Sequence, residues 1–419
     1  MNVLLRAFVF FLLIIISLFE RVHAQITCEE GRYQQVVFSE FVRTNGVLFG
    51  ENIQPTTADP NNTQKLYFDF FEPKDDSLEA RPLIILAFGG SFVFGSRQSP
   101  DIIDLCKRFA QMGYVTASID YRLTPDLIFN PSTKLAYEAV LKGTHDMRAA
   151  VRFFYQDALN SNQFRVDTSK IFIGGVSAGA VAAVHLAYLD SVNEVPALIA
   201  GDLPNVGGLE GLSGNLGYSS DVAGVINLAG GILDTAWIDS GNVPIVSAHG
   251  TEDDVIPYGA GTISILNLSV PFHGSASIKV RMDSLGITND LYSFAGAGHV
   301  PFSQPPGDSA FRDTAFQFVR DFLIDMVCDP VNASVDKPLI SSLRMYPNPM
   351  RESVMLELPS PHLFELTFTD LSGREVNTRV EYQANGIRLW KGSLESGLYL
   401  VRVKHKQNGS LYIGKLVVE

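Results

Sequence analysis

The feature that most limits the fold of this chain is the alternation of short apolar runs with helix-like segments between Lys65 and His299. The first run, LYFDFFEP, alternates like a half-exposed strand. Six further runs are rich in β-branched and aromatic residues, as buried parallel strands are: PLIILAF, VTASID, IFIGG, VAGVINLAG, PIVSAHG and LYSFAG. Helical patterns separate them, including DIIDLCKRFAQMG, AYEAVLKGTHDMRAAVRFFYQDAL and AGAVAAVHLAYLD. This order predicts a doubly wound α/β domain, with a mostly parallel sheet and helices on both faces.

The chain changes character after Cys328. Residues 329–342 (DPVNASVDKPLISS) are rich in Pro, Ser and Asn, which predicts a linker. Residues 343–419 have no helical period and alternate apolar with polar residues between turn signals, which predicts a small all-β sandwich. The α/β domain is therefore expected to span residues 25–328, and two domains suit a chain of 419 residues.

The pattern of the first 24 residues is typical of a secretory signal peptide. Arg6 precedes an apolar run from Ala7 to Phe19, and these 13 residues are fewer than the roughly 20 of a membrane-spanning helix. Ala24 supplies the small residue at the cleavage site. The alternative is a membrane anchor, which the short run disfavours. The mature chain is expected to begin at Gln25 and to carry no integral membrane segment.

Charge and cysteine content limit the partners and the compartment. The net charge of −13 and the lack of a Lys/Arg stripe argue against a nucleic acid partner. Export permits disulfides, and Cys28 and Cys328 bracket the predicted α/β domain, so they are the candidate pair. Three buried thiols remain the alternative, because spacing does not establish connectivity. No H-E-x-x-H motif or Cys/His cluster occurs, so neither a metal nor a cofactor is predicted.

One hydroxyl stands in a run that has almost no side chains. Gly175-Val176-Ser177-Ala178-Gly179 matches G-x-S-x-G and lies between a predicted strand and a predicted helix. In that context the serine occupies a strained turn, and small neighbours let the turn close around its exposed oxygen. The pattern points to nucleophilic catalysis by Ser177, although Gly, Ser and Ala runs also occur in ordinary loops.

A base and an acid follow in the chain order that this motif requires, which is nucleophile, acid, histidine. His299 lies in the Gly-rich turn FAGAGHVPF after the last predicted strand of the domain. His249, at the end of another strand, is the second choice and is better explained as a structural histidine. Asp253 is the preferred acid in AHGTEDDVIP, with Asp254 as the alternative, because only one carboxylate needs to face the histidine.

The segment LAFGGSFVFG follows the strand that begins at Pro82. At this place the fold supplies an oxyanion donor opposite the amide of Ala178. The amides of Gly90 and Ser91 are therefore the expected donors, although the two glycines could also form an ordinary tight turn.

These segments together resemble the α/β-hydrolase superfamily, specifically the carboxylesterase and hormone-sensitive-lipase-like serine esterases. The resemblance rests on FGGSF, SIDYRLTPD, GGVSAGA, HGTEDDVIP and GAGHVPF and spans roughly Val36 to Met326. It implies a triad of Ser177, Asp253 and His299, and Gly90, Ser91 and Ala178 as oxyanion donors. The H-G-G-G motif of the family departs here, because Phe88 replaces its His and Ser91 its third Gly. In similar enzymes the segments of Arg122 and Asp146 hold the scaffold together.

The tail resembles the type A C-terminal sorting domain of type IX secretion. The segments MYPNPM, LTFTDLSGREV, LESGLYLVRV and the terminal GKLVVE carry this resemblance. It implies recognition by an outer-membrane secretion machine and delivery to the medium or the cell surface. The alternative is a carbohydrate-binding β-module, for which only Trp390 and a few tyrosines could form an aromatic platform.

The resemblance implies a secreted serine esterase that forms an acyl-enzyme. The expected substrates are acetyl or feruloyl esters of polysaccharides, or short-chain esters. A serine peptidase on the same fold and a non-catalytic binding protein are the alternatives. Five aromatic residues are candidates for an apolar acyl pocket, with core packing as the alternative for each: Phe92, Phe94, Trp237, Phe272 and Phe302. The irregular stretch from Asn193 to Ser220 is expected to form a loop or partial lid near the site.

Overall fold

The computed structural model describes most of the chain after the predicted signal peptide. The described residues are 27–54, 59, 61–263, 269–303, 309–328, 340–343, 345–358, 361–370, 374–383, 386–406 and 411–419. The predicted signal peptide and residues 329–339 of the predicted linker lie outside them. No helix within the described ranges is both long enough and apolar enough to cross a membrane.

An eight-stranded sheet forms the centre of the first domain. In spatial order its strands are β1 (Phe41–Ile53), β2 (Thr63–Pro73), β4 (Val115–Ile119), β3 (Arg81–Ala87), β5 (Val166–Val176), β6 (Gly224–Leu228), β8 (Ile245–Gly250) and β11 (Asn289–Phe294). The β1–β2 and β2–β4 pairs are antiparallel, and every pair from β4–β3 to β8–β11 is parallel. A small antiparallel sheet adds β7 (Gly231–Ile232), β10 (Val270–Gly274) and β9 (Ala260–Ile263).

Helices connect these strands. They are α1 (Pro100–Gln111), α2 (Asp126–Phe129), α3 (Thr133–Leu159), α4 (Ala178–Tyr188), α5 (Ala197–Ala200), α6 (Ser275–Leu285) and α7 (Ser309–Cys328). Helix α3 packs against α4, whereas α1 meets α7, where the rings of Phe109 and Phe316 lie 4.8 Å apart. All seven residues of β3 are buried, and because successive side chains point to opposite faces, both faces of the sheet are covered. The predicted doubly wound, mostly parallel α/β fold is confirmed.

The sheet begins with a strand that the sequence does not reveal. Most residues of β1 are exposed or half-buried, because it is the edge strand and pairs only with β2. The register shifts between Thr44 and Val47 and again between Leu48 and Gly50. An exposed strand with two irregularities lacks the alternation of apolar and polar residues by which a half-buried strand is recognised.

The C-terminal region forms two four-stranded sheets. One has the order β12 (Ile340–Ser342), β19 (Leu411–Val418), β18 (Gly397–His405) and β15 (Phe364–Asp370). The other has the order β13 (Met345–Tyr346), β14 (Ser353–Glu357), β17 (Gly386–Trp390) and β16 (Val380–Gln383). Side chains of both sheets share one apolar cluster, as in the predicted all-β sandwich. Residues 340–342, at the end of the predicted linker, pair with β19 as a strand.

The buried apolar residues form two separate clusters. One runs from Tyr33 to Val327 and the other from Leu343 to Val418. A disulfide joins Cys28, in a 3₁₀ turn near the start of the first region, to Cys328, the last residue of α7. Cys106 is a buried free cysteine. The disulfide therefore closes a loop with a sequence separation of 300 residues.

We expect the Cys28→Ala/Cys328→Ala double variant to lose about 2–5 kcal/mol of unfolding free energy, because the cross-link restricts the unfolded chain. Thermal melts with and without dithiothreitol measure the effect. The reductant should lower the Tm of the wild type but leave that of the double variant unchanged. A wild type whose Tm is unchanged after titration shows three free thiols would contradict this expectation.

Candidate active site

Ser177 lies on the sharp turn between β5 and α4. Its backbone has φ 53° and ψ −118°, a conformation that costs a non-glycine residue about 1–3 kcal/mol. Its amide donates to the carbonyl oxygen of Leu228 at 2.8 Å, which ties the turn to β6. The turn therefore presents the hydroxyl at the carboxyl edge of the sheet, and the side chain has no capping bond to α4.

Two glycines make this turn sterically feasible. A Cβ on Gly179 would lie 2.2 Å from the carbonyl oxygen of Ala87, and one on Gly175 would lie 2.5 Å from the same oxygen. Both approaches are far inside van der Waals contact, and both involve backbone atoms that cannot move aside. The G-x-S-x-G glycines are therefore needed because the turn packs directly on the end of β3.

His299 lies within hydrogen-bond distance of Ser177. It stands in the loop between β11 and α7, and its Nε2 is 2.8 Å from Ser177 Oγ. Its neighbour Val300 has φ 44°, which is an outlier for a β-branched residue and marks a constrained loop. The side chain of His299 is 16% exposed, so its ring is largely shielded from solvent but is not fully buried.

Asp253 lies on the other side of the His299 ring. Its Oδ2 is 2.7 Å from His299 Nδ1, and its side chain is fully buried. Its Oδ1 accepts hydrogen bonds from the amides of Val255 and Ile256, both at 2.9 Å. Because a carboxylate only accepts, Nδ1 carries the proton, and Nε2 is the acceptor for the Ser177 hydroxyl. This is the arrangement in which a histidine can act as a base.

Burial alone would raise the pKa of the Asp253 carboxyl. The hydrogen bonds from His249 and His299 lower this pKa, and their combined effect outweighs that of burial. The amide of Val255 and the charge of His299 act in the same direction. The net result is a pKa well below the ordinary range of an aspartate, so Asp253 is ionised throughout the neutral range.

The neighbouring acids do not contact His299. Glu252 and Asp254 are both exposed, and neither forms a hydrogen bond to a histidine among the described residues. Of the two carboxylates considered from the sequence, the structure therefore brings Asp253, and not Asp254, to the ring.

The loop after β3 lies beside Ser177. A Cβ on Gly89 would lie 3.2 Å from Ser177 Cβ, so the two backbones are in contact. Gly90 has φ 121°, and its carbonyl accepts from the amides of Val93 and Phe94, which curls the loop on itself. Within the described part of the chain, no backbone or side-chain oxygen accepts from the amides of Gly90, Ser91 or Ala178. These three amides, which were predicted to be oxyanion donors, therefore have no acceptor among the described residues.

The loop is braced by aromatic residues rather than by histidine. The ring of Phe88 stacks on Tyr121 with centroids 4.3 Å apart, and the Tyr121 hydroxyl donates to the Phe88 carbonyl oxygen at 2.9 Å. The Phe92 carbonyl accepts from the amide of Thr124 at 2.7 Å. The segment that carries Tyr121 therefore holds the loop from one side, a role that sequence analysis did not assign to it.

A cleft of about 660 Å³, including its open mouth, lies next to the Ser177 hydroxyl. Its lining is almost wholly apolar and comprises Ser91, Phe92, Leu127, Ala136, Tyr137, Val140, Ser177, Ala178, Val181, Leu233, Ile256, Ile263, Val270 and Phe272. Of the five aromatic residues considered from the sequence, Phe92 and Phe272 therefore line it. Trp237 packs in the core, Phe94 is exposed, and Phe302 lines a separate cavity between the sheet, α1 and α7.

Two further predictions concern the Arg122–Asp146 pair and the irregular stretch from Asn193 to Ser220. Arg122 and Asp146 form a buried ion pair at 2.8 Å, which fits a structural role. The stretch from Asn193 to Ser220, expected to form a loop or partial lid, contributes no residue to the lining of the cleft. Instead, Glu210 forms ion pairs with Arg148 and Arg152 of α3, which hold this stretch against the scaffold.

Of the three other buried histidines, His145 and His185 do not contact Asp253, whereas His249 does. Burial lowers the pKa of His145 and of His185 to about 4, so both are neutral at pH 7. His249 is different, because its Nε2 lies 3.0 Å from Asp253 Oδ2. Its spacing of four residues from Asp253 was the only sequence signal of this contact. Among the described residues, no group of three or more His, Cys, Asp or Glu side chains is arranged so that it could hold a metal ion.

In the tail, Trp390 is not a free aromatic platform. The guanidinium carbons of Arg379 and Arg388 lie 5.2 and 5.9 Å from the centre of its ring. A sugar stacked on this ring would have to displace them. The observation weakens the alternative of a carbohydrate-binding module.

Comparison with known proteins gives matches to both parts of the chain. Residues 68–230 match the BD-FAE family model, and residues 344–419 match the secretion system C-terminal sorting domain. Lipase 1 of Geotrichum candidum is 32% identical over 127 residues, which cover 30% of this chain and 22% of that protein. The chain thus spans about a fifth of the length of this curated relative.

Solved structures of one esterase are also similar. Est2 of the Planctomycetes species Thermogutta terrifontis, native and with propionate bound, has a TM-score of 0.49 and 19% identity in both cases. These matches cover 68% of this chain and 92% and 94% of the respective Est2 chains.

The sorting tail indicates export and a location at the cell surface or outside the cell. The predicted resemblance of both parts is confirmed by the family matches. Residues 68–230 are therefore similar to the BD-FAE family, and residues 344–419 are similar to the secretion system C-terminal sorting domain.

Proposed function

We propose that this protein is a secreted serine carboxylic-ester hydrolase. The observation that carries the proposal is the continuous chain of contacts from Asp253 Oδ2 through the His299 ring to Ser177 Oγ, at 2.7 and 2.8 Å. A serine hydroxyl becomes a nucleophile when a positioned base removes its proton and donors receive the oxyanion.

The reaction runs in two halves. His299 Nε2 takes the Ser177 proton as Oγ attacks the ester carbonyl, and the imidazolium then gives that proton to the leaving alcohol. The acyl group remains on Ser177 until water, deprotonated by the same nitrogen, releases the acid. Asp253 holds the tautomer and stabilises the imidazolium, and the amides of Gly90, Ser91 and Ala178 receive the oxyanion.

The lining of the cleft supports an uncharged acyl group. None of the described residues that line it carries a charge, and their polar side-chain groups are the hydroxyls of Ser91, Ser177 and Tyr137. A charged acyl chain would lose its hydration there without gaining a partner. Short aliphatic acyl groups and apolar aromatic ones such as feruloyl fit this chemistry, and the sorting tail suggests esters attached to polymers outside the cell.

Export is proposed to proceed in two steps. The predicted signal peptide directs the chain across the inner membrane, and the C-terminal domain is then read by the outer-membrane secretion machinery. The α/β domain would then act on polymer-linked or small esters at the cell surface or in the medium.

A fluorophosphonate probe and a substrate panel test the activity. We expect one covalent adduct per chain, located on Ser177 by peptide mass spectrometry, because only an activated serine attacks the probe. p-Nitrophenyl butyrate should be hydrolysed at least about 100-fold faster than p-nitrophenyl succinate, since an unpaired charge must otherwise be desolvated.

The same panel contains the substrates that separate the alternatives. It adds acetyl-xylan, methyl ferulate, and aminoacyl and dipeptidyl p-nitroanilides. Faster turnover of the anilides than of the esters would identify a peptidase. A wild type that is neither labelled nor active on any ester would refute the proposed function.

A further inference from the structure

The carboxylate of Asp253 has two histidine neighbours, and the proposed mechanism uses only one of them. His249 stands at the end of β8 and is fully buried. Its Nε2 lies 3.0 Å from Asp253 Oδ2, the same oxygen that contacts His299 Nδ1, and 3.1 Å from the carbonyl oxygen of Ile256.

The hydrogen-bond partners of His249 define its tautomer. A carbonyl and a carboxylate oxygen only accept, so Nε2 must carry a proton. On the other side of the ring, Nδ1 lies 2.7 Å from the hydroxyl of Ser275, the first residue of α6. That hydroxyl accepts from Asn227 Nδ2 at 3.1 Å, and its own proton is therefore available to Nδ1.

The orientation of the Asn227 amide is itself determined. Its Oδ1 accepts from the amide of Gly230 at 3.0 Å, so Nδ2 must be the atom that faces Ser275. Each donor in the series Asn227, Ser275, His249 thus meets an acceptor, and the series ends on the carboxylate of Asp253.

The same series favours the neutral ring. If Nδ1 also carried a proton, the Ser275 hydroxyl would accept twice, and its own proton would have no acceptor among the described residues. The titratable groups that the structure places against His249 are Asp253 itself, His299 across it, and Tyr258, whose ring packs edge-on at 5.8 Å.

We propose that His249 is a positioning residue of this active site, whose Nε2–H holds the Asp253 carboxylate against His299 and withdraws part of its negative charge. The inference rests on the proposed function. With the amides of Val255 and Ile256 on Oδ1 and two imidazoles on Oδ2, the carboxylate is held by donors on both oxygens. Its orientation is thereby set before substrate binds.

Removal of this donor has two consequences. The carboxylate gains rotational freedom, so His299 is held less firmly and kcat falls. Its full negative charge then faces His299, which raises the pKa of that ring and moves the acidic limb of the kcat/KM profile to higher pH. KM is expected to stay near its wild-type value, because His249 does not line the cleft.

The test compares His249→Leu, which lacks a donor, with His249→Gln, whose side-chain amide can place an N–H near the former Nε2. The kcat/KM of p-nitrophenyl acetate is measured between about pH 5 and pH 9, with melting curves for each variant. We expect the Leu variant to lose at least about tenfold in kcat, the equivalent of one hydrogen bond to a charged group, with its acidic limb displaced upward. The Gln variant should keep the wild-type limb.

A wild-type profile in the Leu variant would overturn the proposal, as would equal losses in both variants with no displacement of the limb. If the Leu variant fails to fold, Ser275→Ala is tested in its place, because without that hydroxyl the proton of His249 is no longer confined to Nε2. An upward displacement of the acidic limb in Ser275→Ala, smaller than the one expected for His249→Leu, supports the proposal. An acidic limb at the wild-type pH overturns it.

Proton NMR separates this inference from the proposed function, because it needs no turnover. The proton between His299 Nδ1 and Asp253 should give a strongly downfield resonance that moves in the Leu variant and returns in the Gln variant. If the wild type hydrolyses no ester, the proposed function fails, while this resonance still decides the role of His249. A resonance at the same position in all three proteins would refute the role.

Discussion

Ser177→Ala is expected to lower the kcat of ester hydrolysis by about 10⁶-fold while the protein folds as the wild type does. Ser177 Oγ is the atom that forms the acyl bond in the proposed mechanism, and among the described residues no other hydroxyl forms a hydrogen bond to His299 or Asp253. The substitution leaves the strained backbone unchanged, because Ala keeps the Cβ and removes only the oxygen. The remaining rate would come from the oxyanion donors and from substrate binding.

The matched control is Ser169→Ala, at the opposite, exposed end of the same strand, β5. Among the described residues, the Ser169 hydroxyl forms a hydrogen bond only to Asp167, so the Ser169→Ala variant should keep wild-type turnover. Turnover of p-nitrophenyl acetate is measured for both variants after purification in parallel, with melting curves as a check on folding. A folded Ser177→Ala protein that hydrolyses the ester within tenfold of the wild type would show that another group is the nucleophile.

The convergence of Ser177, Asp253 and His299 could be predicted because all three lie in loops that follow strands of the same parallel sheet. Ser177 directly follows β5 and Asp253 lies three residues after β8, and both strands end in buried apolar runs that leave a clear signal. His299 lies five residues after β11, which is mostly exposed or half-buried and is recognised by its aromatic residues. Parallel strands end at one edge, so the loops that follow them meet there. The positions of the three side chains thus depend on features that a single sequence displays.

Contacts within that edge could not be predicted in the same way. Asp253 and Asp254 are adjacent in the sequence, and the sequence does not show which carboxylate contacts His299. In the structure the loop after β8 turns the side chain of Asp253 inward and leaves that of Asp254 exposed. The sharing of Asp253 by His249 has the same origin. Both depend on the path of a short loop, which apolar periodicity does not encode.

The sequence did not show what supports the loop after β3 when Phe88 takes the place of the histidine in H-G-G-G. Phe88 stands where similar enzymes have a histidine, which removes the side chain that often braces the oxyanion loop. The structure supplies the brace from Tyr121, by ring stacking and by one hydrogen bond to the Phe88 carbonyl. Tyr121 lies 33 positions further along the chain, so no local pattern connects the two residues.

Asp253→Asn is expected to lower kcat by about 10⁴-fold with little change in the overall fold. The amides of Val255 and Ile256 favour an oxygen at the Oδ1 position, so the new Nδ2 would face His299. It would also face His249, whose Nε2–H keeps the carbonyl oxygen of Ile256 as its acceptor. An N–H donor there requires Nδ1 to become an acceptor, and the ring then carries its proton on Nε2. In that tautomer the ring donates towards Ser177 Oγ instead of accepting from it, and it cannot act as the base.

The neighbouring residue provides the control for this prediction. Asp254→Asn removes a charge of the same kind one position along the chain, but from an exposed side chain that does not contact His299. It should retain kcat within about twofold, since surface charges contribute little at this range. The two variants are compared by kcat for p-nitrophenyl acetate and by the rate of fluorophosphonate labelling. Equal losses in both variants, or a larger loss in Asp254→Asn, would mean that Asp253 is not the acid that orients the histidine.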